Sequence, residues 1–144
     1  MERALAEAAK AGARGEVPVG AVITRDGVII AAAGNQMRQK KDPTGHAEMI
    51  AIRAAALHLG NERLAGCDLY VTLEPCTMCA AAISLARIRR LYISSEDEKG
   101  GGVINGVRFY DQPTCHHAPE VYSGLCESDA RELLVDFFKA KRGD

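Results

Sequence analysis

Two short motifs, His46-Ala47-Glu48 and Pro75-Cys76-Thr77-Met78-Cys79, constrain this chain more than any other feature, because together they offer three metal ligands and one carboxylate not needed as a ligand. A structural zinc site closes its shell with four protein ligands, whereas a catalytic site keeps one position for water. One His and two Cys leave that position open. Any fold of this chain must therefore carry position 46 to positions 76 and 79.

Local signals say how. Pro75 suits the first turn of a helix, which puts the thiols of Cys76 and Cys79 on one face near its N-terminus. The positive end of the helix dipole favours thiolate there, and thiolate is the form that binds metal. Asp42-Pro43-Thr44-Gly45 breaks the chain before His46, and Ala47 to Leu59 then runs without Gly or Pro. That reads as a second helix beginning at the site. Two helix N-termini converge on one ion, with Glu48 two residues from the His. Zinc held by a neutral His and two thiolates lowers the pKa of its water from about 15.7 toward about 7 in favourable sites, and a neighbouring glutamate then moves the protons.

The paired H-x-E and P-C-x-x-C motifs mark zinc-dependent base deaminases. On them the chain resembles the zinc-dependent nucleoside and nucleobase deaminase superfamily, and within it is similar to the bacterial tRNA-specific adenosine deaminases. The likeness extends through Gly15-Glu16-Val17-Pro18-Val19-Gly20-Ala21-Val22, Asn35, Asp42 to Glu48, Leu69 to Cys79, Asp97, Lys99-Gly100 and Asp136-Phe137-Phe138. It lapses after Gly100, where Gly101-Gly102-Val103-Ile104-Asn105-Gly106-Val107-Arg108-Phe109 replaces the family's Gly-Ala segment leading to Gly-Ser. The resemblance implies that His46, Cys76 and Cys79 hold one zinc ion per subunit and that Glu48 shuttles protons. Asn35 would hydrogen-bond the purine of a flipped nucleotide, and Asp97 would take a substrate-side place. It also implies conversion of the wobble adenosine of a tRNA anticodon to inosine, in a homodimer whose active site lies near the subunit interface. The alternative within the class is deamination of a free base or nucleoside such as guanine or cytosine.

The order of elements points to an α/β fold, a three-layer α/β/α sandwich of the cytidine deaminase type around a mixed five-stranded sheet. After a first helix over residues 1 to 14, Val17 to Thr24 and Val28 to Ala33 read as strands joined at Asp26-Gly27, a two-residue hairpin signal. A helix over 46 to 60, a strand over 68 to 73, a helix over 75 to 87 and a strand over 89 to 94 follow. Ligands are expected beyond strand ends, where the helices begin. A glycine-rich loop spans 96 to 118, Glu120 to Leu125 is the candidate fifth strand, and Ser128 is placed to cap a last helix that buries Leu133, Leu134, Phe137 and Phe138. No repeat or linker divides residues 1 to 144, which read as one domain.

No apolar run approaches the ~20 residues that span a bilayer, and residues 1 to 14, with Glu2, Arg3, Glu7 and Lys10 among alanines, suit a surface helix better than a signal peptide. A cytoplasmic protein is expected. Five cysteines, an odd count, argue against a disulfide framework. With 18 basic and 19 acidic residues there is no global pull on phosphate, so local runs at Arg38 to Lys41, Arg87 to Arg90 and Lys139 to Arg142 must serve any RNA partner. A tRNA anticodon stem-loop fits such a chain, since its single-stranded bases can be splayed into a pocket without a broad basic groove.

Competing readings exist. Cys-Thr-Met-Cys alone is also a redox motif, but that motif has no use for His-Ala-Glu on another helix. A structural zinc site would draw a fourth ligand from His58, Cys67, Cys115, His116 or His117. Asn35 alone reads as a strand-ending residue bonded to its own backbone. His116 and His117 read as surface residues of a polar loop.

Overall fold

The computed structural model describes residues 1–143. In chain order it forms α1 (Glu2–Ala13), β1 (Gly20–Arg25), β2 (Val28–Gly34), α2 (Ala47–Leu59), β3 (Cys67–Leu73), α3 (Thr77–Leu85), β4 (Arg90–Ser95), a 3-10 turn at Phe109–Asp111, β5 (Glu120–Ser123) and α4 (Glu127–Arg142). One sheet has the order β2-β1-β3-β4-β5. It is antiparallel across β2-β1-β3 and parallel across β3-β4-β5, the mixed sheet expected. Asp26 and Gly27 close the β1-β2 hairpin with φ of 51° and 77°, the left-handed pair that matches strand twist.

Alternation along the strands separates two faces. Ala21, Ile23, Leu69, Val71, Leu91 and Ile93 meet Ala47, Ala51 and Ala55 of α2 and Ala80 and Ile83 of α3 in one buried core. The opposite face carries α1 and α4. There Ala4, Ala8 and Ala11 of α1 are fully buried, and Gly20 and Gly34, partners in register, let the helix backbone lie directly on the strands. A Cβ on Gly20 would overlap the carbonyl oxygen of Ala4, and one on Gly34 would stand 2.7 Å from that of Glu7. Further along this face Tyr70, Tyr92 and Tyr122 are in register and stack at 4.6 and 5.2 Å. Beside them Arg89 pairs with Asp68 at 3.0 Å and Arg90 with Glu120 at 3.2 Å, so this basic run is largely neutralised by its own sheet.

Several boundaries differ from the sequence expectation. β1 starts at Gly20 and not Val17, because the Val19 N–H turns back onto the Val17 carbonyl at 2.8 Å and leaves 17–19 outside the ladder. Pro75 precedes the first turn of α3 instead of sitting in it, with Cys76 as N-cap. Ser128 lies inside α4; its N-cap is Cys126, in the left-handed region and without a side-chain cap bond. The expected buried face of α4 is also thinner, with Ala130 buried, Leu133, Leu134 and Phe137 half-buried, and Phe138 44% exposed. α4 packs on β4, β3 and α1 and leaves the edge strand β5 exposed at all four residues, so much of its apolar face stays in contact with solvent. Phe137 and Phe138 meet each other edge to face, with Lys141 over the Phe137 ring.

Topology also fixes one functional end. β3 and β4 are parallel, β2 runs with them, and β1 runs against them. The C-terminal ends of β2, β3 and β4 therefore meet the start of β1 at a single end of the sheet, where α2 and α3 begin. No helix among the described residues is long and apolar enough to cross a membrane.

Replacing Gly20 with Ala places a methyl against helix backbone that has no flexible end to yield, so a loss of about 3 kcal/mol or more is expected. Urea unfolding measures it. A midpoint equal to the unsubstituted protein's would show that α1 does not sit on β1 as described.

Candidate metal centre and its pocket

His46 is the N-cap of α2 and Cys76 the N-cap of α3, so the two expected helix starts do converge. Imidazole Nδ1 of His46 lies 3.6 Å from Cys76 Sγ and 3.5 Å from Cys79 Sγ. The three donor atoms lie within 4.8 Å of one another. Tetrahedral zinc, with bonds of about 2.0 Å to nitrogen and 2.3 Å to sulfur, separates a nitrogen from a sulfur donor by about 3.5 Å. The donor set and its spacing fit zinc, and Nδ1 is the ring nitrogen that faces the sulfurs. Among the described residues this is the one cluster of three or more candidate donors. The formal fourth ligands stand elsewhere: His58 is exposed on α2, Cys67 is buried in β3, Cys115 meets Ser84 and the His117 carbonyl, and His117 Nε2 meets the Ile88 carbonyl at 2.8 Å.

The electrostatics suit cation binding. A hydrogen bond from the Cys79 thiol, helped by His46 and opposed by burial, pulls Cys76 down to about 4. Cys79 is pushed far above the usual thiol range, first by that shared bond and then by burial. One sulfur is thus already a thiolate, the metal-binding form.

Glu48 follows in the first turn of α2. The residue is 4% exposed, and burial pushes its carboxyl up to about 7 against the pull of its own backbone N–H and His46. It lines a cavity of about 280 Å³ together with Val17, Val19, Asn35, His46, Cys76 and Asp97. A carboxyl group poised in this range beside a ligand cluster suits proton transfer. Asn35, at the end of β2, is also buried. Its Oδ1 accepts from the Ala47 N–H at 2.8 Å and its Nδ2 donates to the Val17 carbonyl at 3.1 Å. It does bond backbone, but that of two other segments, tying strand end, helix start and pocket floor together. Asp97 faces the pocket from the loop after β4 and accepts the N–H groups of Lys99 and Gly100.

Two acids not singled out in the sequence also shape the pocket. Glu16, 2% exposed, accepts the N–H groups of Arg38 and Gln39 at 3.1 and 2.8 Å, holding the turn that carries Met37 to the cavity wall. Glu74 lies two residues before Cys76, lines the cavity and collects donors from the loop after β4. Burial works to raise its pKa, yet the N–H groups of Asn105, Asp97 and Val103 and the Asn105 amide outweigh it and hold the carboxyl below its usual value. The only sequence hint was an acid inside each motif block, at Gly15-Glu16-Val17-Pro18 and Leu73-Glu74-Pro75-Cys76. His116, His117, Phe137 and Phe138 do not line the cavity.

Comparison with known proteins agrees with this geometry. Residues 1–95 match the family described as the cytidine and deoxycytidylate deaminase zinc-binding region. The chain is 63% identical over 144 residues to the tRNA-specific adenosine deaminase of Agrobacterium fabrum (strain C58), covering 100% of this chain and 95% of that protein. A solved structure from studies of A-to-I editing by tRNA:A34 deaminases at the wobble position of transfer RNA has a TM-score of 0.92 at 64% identity, over 93% of this chain and 97% of the other. The guanine deaminase of Bacillus subtilis shares the fold with a TM-score of 0.67 at 33% identity, over 99% of this chain and 91% of the other. The chain therefore belongs to the family of zinc-binding deaminases, in the branch of the tRNA-specific adenosine deaminases.

Asn35→Ala removes the buried acceptor for the first N–H of α2 and a part-buried donor to Val17. A loss of about 1–3 kcal/mol is expected, with weaker zinc retention against a competing chelator because His46 loses its anchor. Unchanged stability and zinc affinity together would exclude Asn35 from any structural part in the centre.

Proposed function

We propose that this chain converts adenosine at the wobble position of a tRNA anticodon to inosine and ammonia, as a single cytoplasmic deaminase domain with one zinc ion per subunit. The observation that carries the reading is a buried carboxylate, Glu48, that shares a cavity with His46 and Cys76 but stands outside the donor cluster. His46, Cys76 and Cys79 would hold the zinc, which when bound supplies an activated water. Glu48 takes a proton as the water adds to the ring carbon bearing the amino group, and returns it to the ring nitrogen. It then moves a second proton from the added oxygen to the departing amine. Water and adenosine enter, inosine and ammonia leave, and the carboxylate ends as it began.

Asn35 is poised to read the base, because its amide keeps one N–H and one lone pair beyond its bonds to Val17 and Ala47. Asp97 contacts the nucleotide from the facing wall. Arg38, Lys40 and Lys41, on the turn just after Asn35, and Lys139 and Lys141, at the end of α4, supply local positive charge for RNA phosphates. The likeness to a guanine deaminase keeps free guanine as the second reading; the higher identity to a tRNA-specific enzyme favours the first. A homodimer is supported by Leu57 and Leu85, which leave 85% and 75% of their surface exposed on α2 and α3, in one layer of the sandwich, an apolar area suited to a second copy.

Zinc-loaded protein is expected to form inosine in an anticodon stem-loop carrying a wobble adenosine, with guanine, cytosine and adenosine slow at equal concentration. Absence of product with zinc bound removes the reading, and fast guanine turnover beside an inert stem-loop replaces it. Glu48→Ala should keep its zinc while deamination falls by roughly 10²–10⁴-fold. Metal loss equal to that of His46→Ala would make Glu48 a ligand and end its role as proton carrier.

A further inference from the structure

Glu74 is 3% exposed, and five donors converge on its carboxylate. Oε1 accepts from the Asp97 N–H at 3.0 Å and the Asn105 side-chain amide at 2.7 Å. Oε2 accepts the three successive N–H groups of Val103, Ile104 and Asn105 at 3.1, 2.9 and 3.0 Å. Consecutive backbone N–H groups closing on one oxygen form a concave anion cradle, here filled by the chain itself. The segment between the two held ends carries Gly100, which lines the cavity with Asp97. It also carries Gly101, where a Cβ would overlap the Glu74 carboxylate, and Gly102, whose N–H donates to the Pro75 carbonyl at 2.9 Å. The loop is therefore clipped to the residues immediately before Cys76.

We propose that Glu74 is a positioning residue for the substrate wall: by holding residues 97–105 it sets where Asp97 and Gly100 stand across the cavity from Glu48, and so governs nucleotide binding without holding zinc. This rests on the deaminase reading above. The carboxylate is needed because it accepts at both oxygens. A glutamine of the same shape turns N–H₂ toward donors whichever way its amide flips, meeting the Asp97 N–H on one side or three backbone N–H groups on the other. The zinc donors stay in place, since α2 and α3 carry them and the loop carries none.

The test compares the unsubstituted protein with Glu74→Gln, both zinc-loaded, on an anticodon stem-loop. KM should rise about tenfold, with bound zinc and kcat per zinc little changed, and amide exchange across 97–105 should quicken. Activity that falls only in step with folded or zinc-bound protein, at unchanged KM, overturns the proposal and leaves Glu74 a folding residue. Where Glu74→Gln does not fold, Asn105→Ala removes a single donor and leaves the carboxylate in place; a smaller rise in KM supports the proposal and none overturns it. An unsubstituted protein without turnover counts against the deaminase reading, and stem-loop affinity then decides about Glu74: weaker binding by the variant supports it, equal binding overturns it.

Discussion

Everything in this fold turns on bringing the first turns of α2 and α3 to one end of the sheet. The ligand positions are about thirty residues apart in the chain, yet imidazole and sulfur stand 3.5 and 3.6 Å from each other. Strand direction makes this possible: β1 runs against β3, so its beginning meets the place where β2, β3 and β4 end. Both helix starts then aim their positive dipole ends at the same small volume, where negative sulfur is favoured. Reversing one strand would move a ligand to the far end of the molecule.

Three glutamates, Glu16, Glu48 and Glu74, are buried near this volume, and what surrounds each decides what it can do. Glu48 has few donors, so loss of water dominates and its carboxyl rises to about 7. Glu74 loses water too, but its many donors favour the ionised form and the balance tips downward. Glu16 spends its oxygens on two backbone N–H groups of a turn. Burial raises a carboxyl and hydrogen bonds to the anion lower it, so one residue type suits proton transfer in one place and fastens a loop in another. Under the proposed function the division also separates chemistry from recognition. The candidate donors and Glu48 stand at helix starts, whereas Asp97 and Gly100 stand on the loop after β4.

The centre could be read from the chain because its determinants are local. A Pro-Thr-Gly break, a run free of Gly and Pro, and a Cys pair three apart each specify structure within a turn or two, so α2 and the meeting of His46 with Cys76 and Cys79 stand as expected. The Asp26-Gly27 hairpin is legible for the same reason. What escaped depends on partners distant in sequence. Glu74 is defined by residues 97 to 105, Glu16 by 38 and 39, and the bonds of Asn35 by Val17 and Ala47; none of these pairings leaves a periodic trace. The thin burial of α4 escaped similarly, since a helix with Leu133, Leu134, Phe137 and Phe138 looks amphipathic whether or not neighbouring elements cover its apolar face. Val17 to Val19 resembled strand because alternation of apolar residues cannot register a backbone turn between them.

The tyrosine row on the α1 and α4 side carries a practical consequence. The chain has no tryptophan and four tyrosines, and three of these rings lie in one stack crossing β3, β4 and β5. Their ultraviolet absorption and emission therefore act as a built-in optical gauge of whether the last strand stays docked. The outermost ring, Tyr122, is 48% exposed, so peeling of the sheet's margin would change the dichroism of the coupled rings while the donor cluster at the starts of α2 and α3 stays undisturbed.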